Sequence, residues 1–392
     1  MSGRTRPDAR RDVARALAGK RILVVGGAGG VGKTTTAAAL GLQAAVQGRR
    51  VLVCTIDPAR RLATSLGLEQ LTGKPRRLDL QRLAPEAAGE LWAMMLDTKS
   101  TFDALVERYM SDESARDRIL TNRFYQHVST ALAGSHEYMA MEKLLDLHED
   151  PRFDLVVLDT PPTRHALDFL EAPDRLMGFL DTSVLKWVLK PYFVAGRLTL
   201  KVATRTGAVA LGIADRFLGL QFLQDLSEFF LAFEGMYDGF KERAARVRQL
   251  LRERYAGFVV VASPARLALE QAIYFHRRLR ESELPFVGFV ANRVHVEPPA
   301  GGERRTARVD GDLAEALSGV YRDQQRLARH DQRALARLEA DTGEPILGVP
   351  ELEADVHDLR GLMEVAEAML GPASVPTARR RRRTTAGATR ER

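Results

Sequence analysis

The sequence predicts an α/β fold, a mainly parallel sheet flanked by helices with a helical subdomain inserted into it. Three observations carry that reading. Short, continuous apolar runs recur along the chain, the pattern of strands buried on both faces of a parallel sheet. Most intervals between them have helical patterning. Two intervals, 100–150 and 172–255, are longer than a crossover needs and are assigned to the insertion.

In chain order, residues 1–19 are polar and basic and are expected to form a flexible N-terminal arm. Their positive charge is joined to no apolar h-region, so a secretory signal is not expected. Arg21 to Gly26 (RILVVG) is the first buried strand. A glycine loop follows, then an Ala/Leu-rich helix from Thr34 to Gln47, stopped at Gly48. Val51 to Asp57 is a second apolar strand, and further strands are expected at Leu91–Asp97, Phe153–Asp159, Gly257–Ser263, Phe286–Asn292 and Pro345–Pro350. The interval 100–150 opens on a cap pattern, Ser100-x-x-Asp103. Within 172–255, Leu226, Phe229, Phe233, Met236 and Phe240 share one helical face, which suits either a bundle core or a groove for an apolar client. Residues 295–312 read as a flexible surface loop. Residues 372–392 read as a disordered tail, with five arginines, Arg379 to Arg383, suited to solvation or to contact with anionic lipid or nucleic acid.

Composition bounds the function. With 392 residues, 45% hydrophobic and 28% charged, the chain is an ordinary globular one. The net charge of +7 sits at the ends, leaving the body between residues 21 and 370 slightly acidic, so a wholly basic nucleic-acid-binding body is not expected. One cysteine, Cys54, excludes an intrachain disulfide framework and a Cys-x-x-Cys zinc site, and a reducing cytoplasm is the expected compartment. No run of 18 apolar residues marks a conventional membrane span.

The strongest chemical signal is Gly27-Ala28-Gly29-Gly30-Val31-Gly32-Lys33-Thr34, which fits the P-loop pattern G-x-x-x-x-G-K-[ST] after a strand and before a helix. Glycines let backbone amides turn inward around phosphate oxygens, and the helix N-terminus adds partial positive charge. Lys33 is expected at the β/γ-phosphates of a nucleotide, the Thr34 hydroxyl on Mg²⁺, and Thr35 at the α-phosphate. Asp159 ends a buried apolar strand, where a carboxylate holds Mg²⁺ through its water shell. Asp57 ends the second strand, on the sheet edge where ligands of open α/β sheets sit, and there it can orient an attacking water.

Four blocks in order carry a family resemblance: the glycine loop, Asp57-Pro-Ala-Arg-Arg-Leu62, Asp159-Thr-Pro-Pro-Thr-Arg-His-Ala-Leu167 and Asn292-Arg-Val294. Together they resemble the ArsA-type ATPases, which include the arsenite-pump ATPase and the ATPase that targets tail-anchored membrane proteins. The resemblance spans roughly residues 20–370, so 20–371 is taken as one ATPase domain. It implies a P-loop ATPase that dimerises face to face across its nucleotides, with a second copy or with a paralogue. It places Asp57 on the catalytic aspartate of switch I. It makes Asp159, Thr160, Pro161, Pro162, Thr163, Arg164 and His165 the γ-phosphate-sensing switch II. Asn292 falls on the family's adenine-reading asparagine, Pro350 in the segment covering the base, and the inserted helices on the part that receives a client's membrane helix.

Departures from the family pattern matter as much. Ala28 stands where full family loops carry a lysine that reaches the partner's nucleotide, so hydrolysis is slow, or another cation (Arg60, Arg61 or Arg164) or a lysine-bearing paralogue replaces it. The lone cysteine excludes both the arsenite-binding triad and a zinc-clamped dimer. Three functions therefore stand open: a targeting or chaperone ATPase, the soluble subunit of an anion efflux system, or a weakly hydrolysing switch whose arginine tail contacts membrane or DNA.

Overall fold

The computed structural model describes residues 7–161, apart from 58, 82, 86, 111, 124, 127, 128 and 130–134, together with 220–300 and 311–372. Eight strands form one sheet: β1 Ile22–Gly27, β2 Arg50–Thr55, β3 Arg76–Leu78, β4 Glu90–Met95, β5 Leu155–Asp159, β6 Ala256–Ala262, β7 Phe286–Val294 and β8 Ile346–Pro350. Their order is β3-β4-β2-β5-β1-β6-β7-β8. Every neighbouring pair is parallel except β3 with β4. The glycine loop therefore leaves the middle of the sheet, between β5 and β6.

The central strands are apolar throughout because both faces are covered. Ile22 and Val24 point into one core, Leu23 and Val25 into the other. The second core is closed by α1 Pro7–Ala18, α2 Lys33–Val46, the short α3 Arg61–Ser65 and, near the chain's end, α10 Leu359–Leu370. The first core lies under a helical layer of α4 Thr98–Tyr109, α5 Glu113–Thr121, α6 Ser135–Glu149 and α7 Leu220–Arg252. Helices α8 Arg266–Glu281 and α9 Asp312–Thr342 complete that side.

Aromatic packing holds the helical layer. Phe240 of α7 stacks on Tyr138 of α6 with ring centroids 5.7 Å apart. Phe102 of α4 meets the edge of Tyr125 at 5.6 Å. Between α6 and α7 the buried Glu142 accepts from Tyr138 Oη at 2.7 Å and pairs with Arg243, which also reaches Asp146 at 2.8 Å. Phe229, Met236 and Phe240 lie within this core, so the bundle-core reading holds for those three residues. A charge at Phe229 would therefore probe folding and not a client groove.

Several expectations need correction. The arm read as flexible is helical over Pro7–Ala18. Val13 is buried, and Arg10 donates to the Ala368 carbonyl at 2.7 Å, which ties the start of the described chain to its end. The cap of α4 is Asp97, whose carboxylate accepts from the Ser100 amide; Ser100 is inside the helix, not its cap. The antiparallel edge strand β3 adds to the strands expected from the sequence. Strand β7 runs two residues past Asn292 to Val294, and the presumed loop 295–312 ends where α9 begins at Asp312. Residues 162–219, 301–310 and 373–392, including most of switch II and the arginine tail, lie outside the described residues.

Candidate active site

The glycine loop takes its shape from three positive-φ glycines, Gly27, Gly30 and Gly32. Two have no alternative. Gly27 has φ +146, and a Cβ there would stand 2.2 Å from the Val261 carbonyl oxygen of the neighbouring β6. Gly32 caps α2 in the left-handed region, and its missing Cβ leaves room for the side-chain amide of Asn292. Behind the loop, Lys33 is largely buried, and its Nζ donates to the Ala28 carbonyl at 2.8 Å. Burial lowers the Lys33 pKa, Asp159 opposes that shift, and Arg61 adds to it.

Parallel strands bring the remaining groups to the same edge. Asp159 ends β5 and is fully buried. Its Oδ2 accepts from the Thr34 hydroxyl at 2.8 Å and from the Thr55 hydroxyl at 2.8 Å. Oδ1 is buried with no hydrogen-bond partner among the described residues. Burial raises the Asp159 pKa to about 6, against the two threonine bonds and Lys33. A buried carboxylate with an unused oxygen, beside a threonine hydroxyl, is a hard-oxygen donor set. It fits Mg²⁺, which prefers one or two protein oxygens, water and substrate phosphate. Thr34 directly and Asp159 through water would hold that ion.

Asp57 lies just beyond β2. Its Oδ1 accepts from the Ala59 amide at 2.9 Å and its Oδ2 from Arg61 at 3.2 Å, while its own amide donates to Thr55 Oγ1 at 3.2 Å. Arg60 is exposed at the start of α3. Thr160 closes the far side of the edge, its hydroxyl donating to the Val25 carbonyl at 2.9 Å. Pro161 follows it; Pro162, Thr163, Arg164 and His165 lie outside the described residues.

The residues expected at the base sit on adjacent strands. Asn292 Nδ2 donates to the Val31 carbonyl at 2.9 Å, which ties β7 to the glycine loop. Pro350 ends β8 and is paired in register with Val294. Two features were not read from sequence. Thr55 is one, although a hydroxyl at a strand end two residues before an acid is a signal available in the sequence. His295, just after β7, has Nδ1 2.7 Å from Asp331 Oδ2 and Nε2 3.3 Å from Glu351 Oε2, joining β7, α9 and the segment after β8. No local pattern announces contacts of that sequence separation.

A glycine loop opening α2, a lysine behind it, and a threonine hydroxyl on an acid ending an adjacent parallel strand define a P-loop nucleoside triphosphatase. A model of the anion-transporting ATPase family matches residues 20–310, and the chain belongs to that ArsA-type ATPase family. It is 27% identical over 285 residues to ATPase GET3C of Arabidopsis thaliana, covering 70% of this chain and 67% of that protein. It is 27% identical to ATPase GET3 of Podospora anserina, covering 74% and 77%. It is 26% identical to the putative arsenical pump-driving ATPase 1 of Aquifex aeolicus, covering 71% and 61%.

Proposed function

We propose that this chain is a cytoplasmic, Mg²⁺-dependent ATPase that couples its nucleotide state to its helical layer. The observation that carries this reading is the convergence of the Thr34 and Thr55 hydroxyls on one carboxylate oxygen of Asp159 beside the glycine loop. The loop amides and Lys33 would bind the phosphates of ATP, with Gly27 to Gly32 turning the backbone around them. Thr35 would contact the α-phosphate; Asn292 and Pro350 would flank the adenine. Mg²⁺ would neutralise charge on the transferring phosphoryl group. Asp57 would orient the attacking water through the carboxylate whose Oδ2 also accepts from Arg61. Switch II, from Asp159 through His165, would carry the outcome toward the helices.

The assembly we favour is a dimer, of two copies or with a paralogue, and the client we favour is an apolar segment of a membrane protein. Both rest on likeness to relatives named GET3. Among the described residues, no helix is long and apolar enough to cross a membrane. Thiolate-based metalloid handling is disfavoured, since Cys54 is the only cysteine and is buried, with its pKa pushed up to about 12.

The test is steady-state ATP hydrolysis with and without Mg²⁺, with Lys33→Ala as control. The expected result is turnover that needs the metal and disappears in the control. Turnover that survives Lys33→Ala would place the chemistry elsewhere and sink the proposal.

A further inference from the structure

Thr55 stands where two parts of the site meet. It is the last residue of β2 and almost fully buried. Across the parallel β2–β5 pair it is the register partner of Asp159. A hydroxyl has one hydrogen to give and lone pairs to receive. Here the hydrogen goes to Asp159 Oδ2 at 2.8 Å, and a lone pair takes the Asp57 amide at 3.2 Å. The backbone agrees with that placement, since the Ile56 amide donates to the Asp159 carbonyl at 3.1 Å and the Leu96 amide to the Thr55 carbonyl at 2.8 Å. Thr55 is therefore held on both flanks and has little freedom to choose other partners.

One oxygen atom thus connects the carboxylate at the metal position with the turn that carries the water-orienting acid. Among the described residues, the Asp57 carboxylate bonds to the Ala59 amide of its own loop and to the exposed Arg61 that opens α3. We propose that Thr55 is a positioning residue that couples the two aspartates, so that the place of Asp57 depends on how Asp159 is held. The inference rests on the ATPase reading above for its catalytic consequence, and on the hydrogen bonds alone for its structural one. Thr55 acts through its bonds to Asp159 and to the Asp57 amide.

Thr55→Val keeps the shape and removes the hydroxyl, and Thr55→Ser keeps the hydroxyl and removes a methyl. With that hydrogen bond lost and the water-orienting acid misplaced, kcat should fall at least about tenfold in Thr55→Val. KM for Mg–ATP should stay within about threefold, because the loop and Lys33 are untouched. Thr55→Ser should restore kcat to within about threefold. In an Asp57→Asn background, adding Thr55→Val should slow the enzyme little further, since both changes disable one function. Hydrogen–deuterium exchange over residues 56–62, without metal or nucleotide, supplies a readout separate from turnover. Exchange should be faster in Thr55→Val and normal in Thr55→Ser, and Thr55→Ala replaces the valine variant should that fail to fold. Unchanged exchange in Thr55→Val, or a serine variant as slow as the valine one, would overturn the coupling and leave Thr55 a packing residue. A wild-type chain without ATP turnover would instead count against the ATPase reading, and the exchange comparison would still decide the role of Thr55 in the turn.

Discussion

Replacing Asp159 by asparagine separates the electrostatics of the site from its shape. Asparagine keeps an oxygen to accept the Thr34 and Thr55 hydroxyls and removes the charge. Burial moves the Asp159 carboxyl from its ordinary 3.8 up to about 6. At about 1.4 kcal/mol per pH unit, that displacement costs the native state about 3 kcal/mol once the group is ionised. The sign follows from proton counting. Between those two pH values the folded chain holds a proton that the unfolded chain has lost, so stability falls as pH rises through the window. Asparagine has no such window. Its Nδ2 would replace Oδ1, which has no hydrogen-bond partner among the described residues, and lose about 1–2 kcal/mol as an unsatisfied donor. Without metal, Asp159→Asn should thus be within about 1 kcal/mol of wild type at pH 4 and more stable by about 1–2 kcal/mol at pH 7.5. Urea unfolding followed by fluorescence from pH 4 to 8 in EDTA measures the difference, in which other titrating groups cancel. Mg²⁺ and ATP should then shift the order back toward wild type by stabilising it more than the variant, which keeps the phosphate loop but lacks the charge at the metal position. A difference that stays constant across the pH range would refute the argument that Asp159 carries a buried, costly charge.

Two further substitutions test the packing around the site. Gly32→Ala places a Cβ 2.1 Å from Asn292 Nδ2, a side chain that can move. Asn292→Ala should therefore recover part of the stability lost, whereas Gly27→Ala, whose obstacle is the Val261 backbone, should have no such rescue and cost more than about 3 kcal/mol. Paired urea melts of the single and double variants decide it. In the helical layer, Glu142→Ala leaves the Arg243 guanidinium buried without its main partner and should cost about 3–5 kcal/mol. Replacing Glu142 and Arg243 together by apolar residues should cost less than that, by the same melts.

How much of this was legible depends on how local the cause is. The glycine loop is determined over eight residues, and the apolar runs of β1, β2 and β5 report their own burial on two faces, so both could be read without tertiary knowledge. Strand β3 could not. Its three residues, Arg76-Arg77-Leu78, contain one apolar side chain, and they pair with β4 only because β4 is already in the sheet. Helix α1 has a similar origin, since its docking depends on Val13 and on a carbonyl 358 residues away. The site divides along the same line. An acid at the end of a buried strand is a local signature, which is why Asp57 and Asp159 were assigned to one edge. Which hydroxyl each acid meets depends on register. Thr34 and Thr55 are 125 and 104 residues from Asp159, and only the β2–β5 alignment sets Thr55 opposite it. A shift of one residue would turn Thr55 to the other face of the sheet and bring Ile56 into its place, leaving Asp159 with one hydroxyl and no link through Thr55 to the turn that carries Asp57. The apolar patterning that resists such a slip therefore also protects the chemistry, because Val53 and Cys54 would have to exchange cores for Thr55 to leave its place.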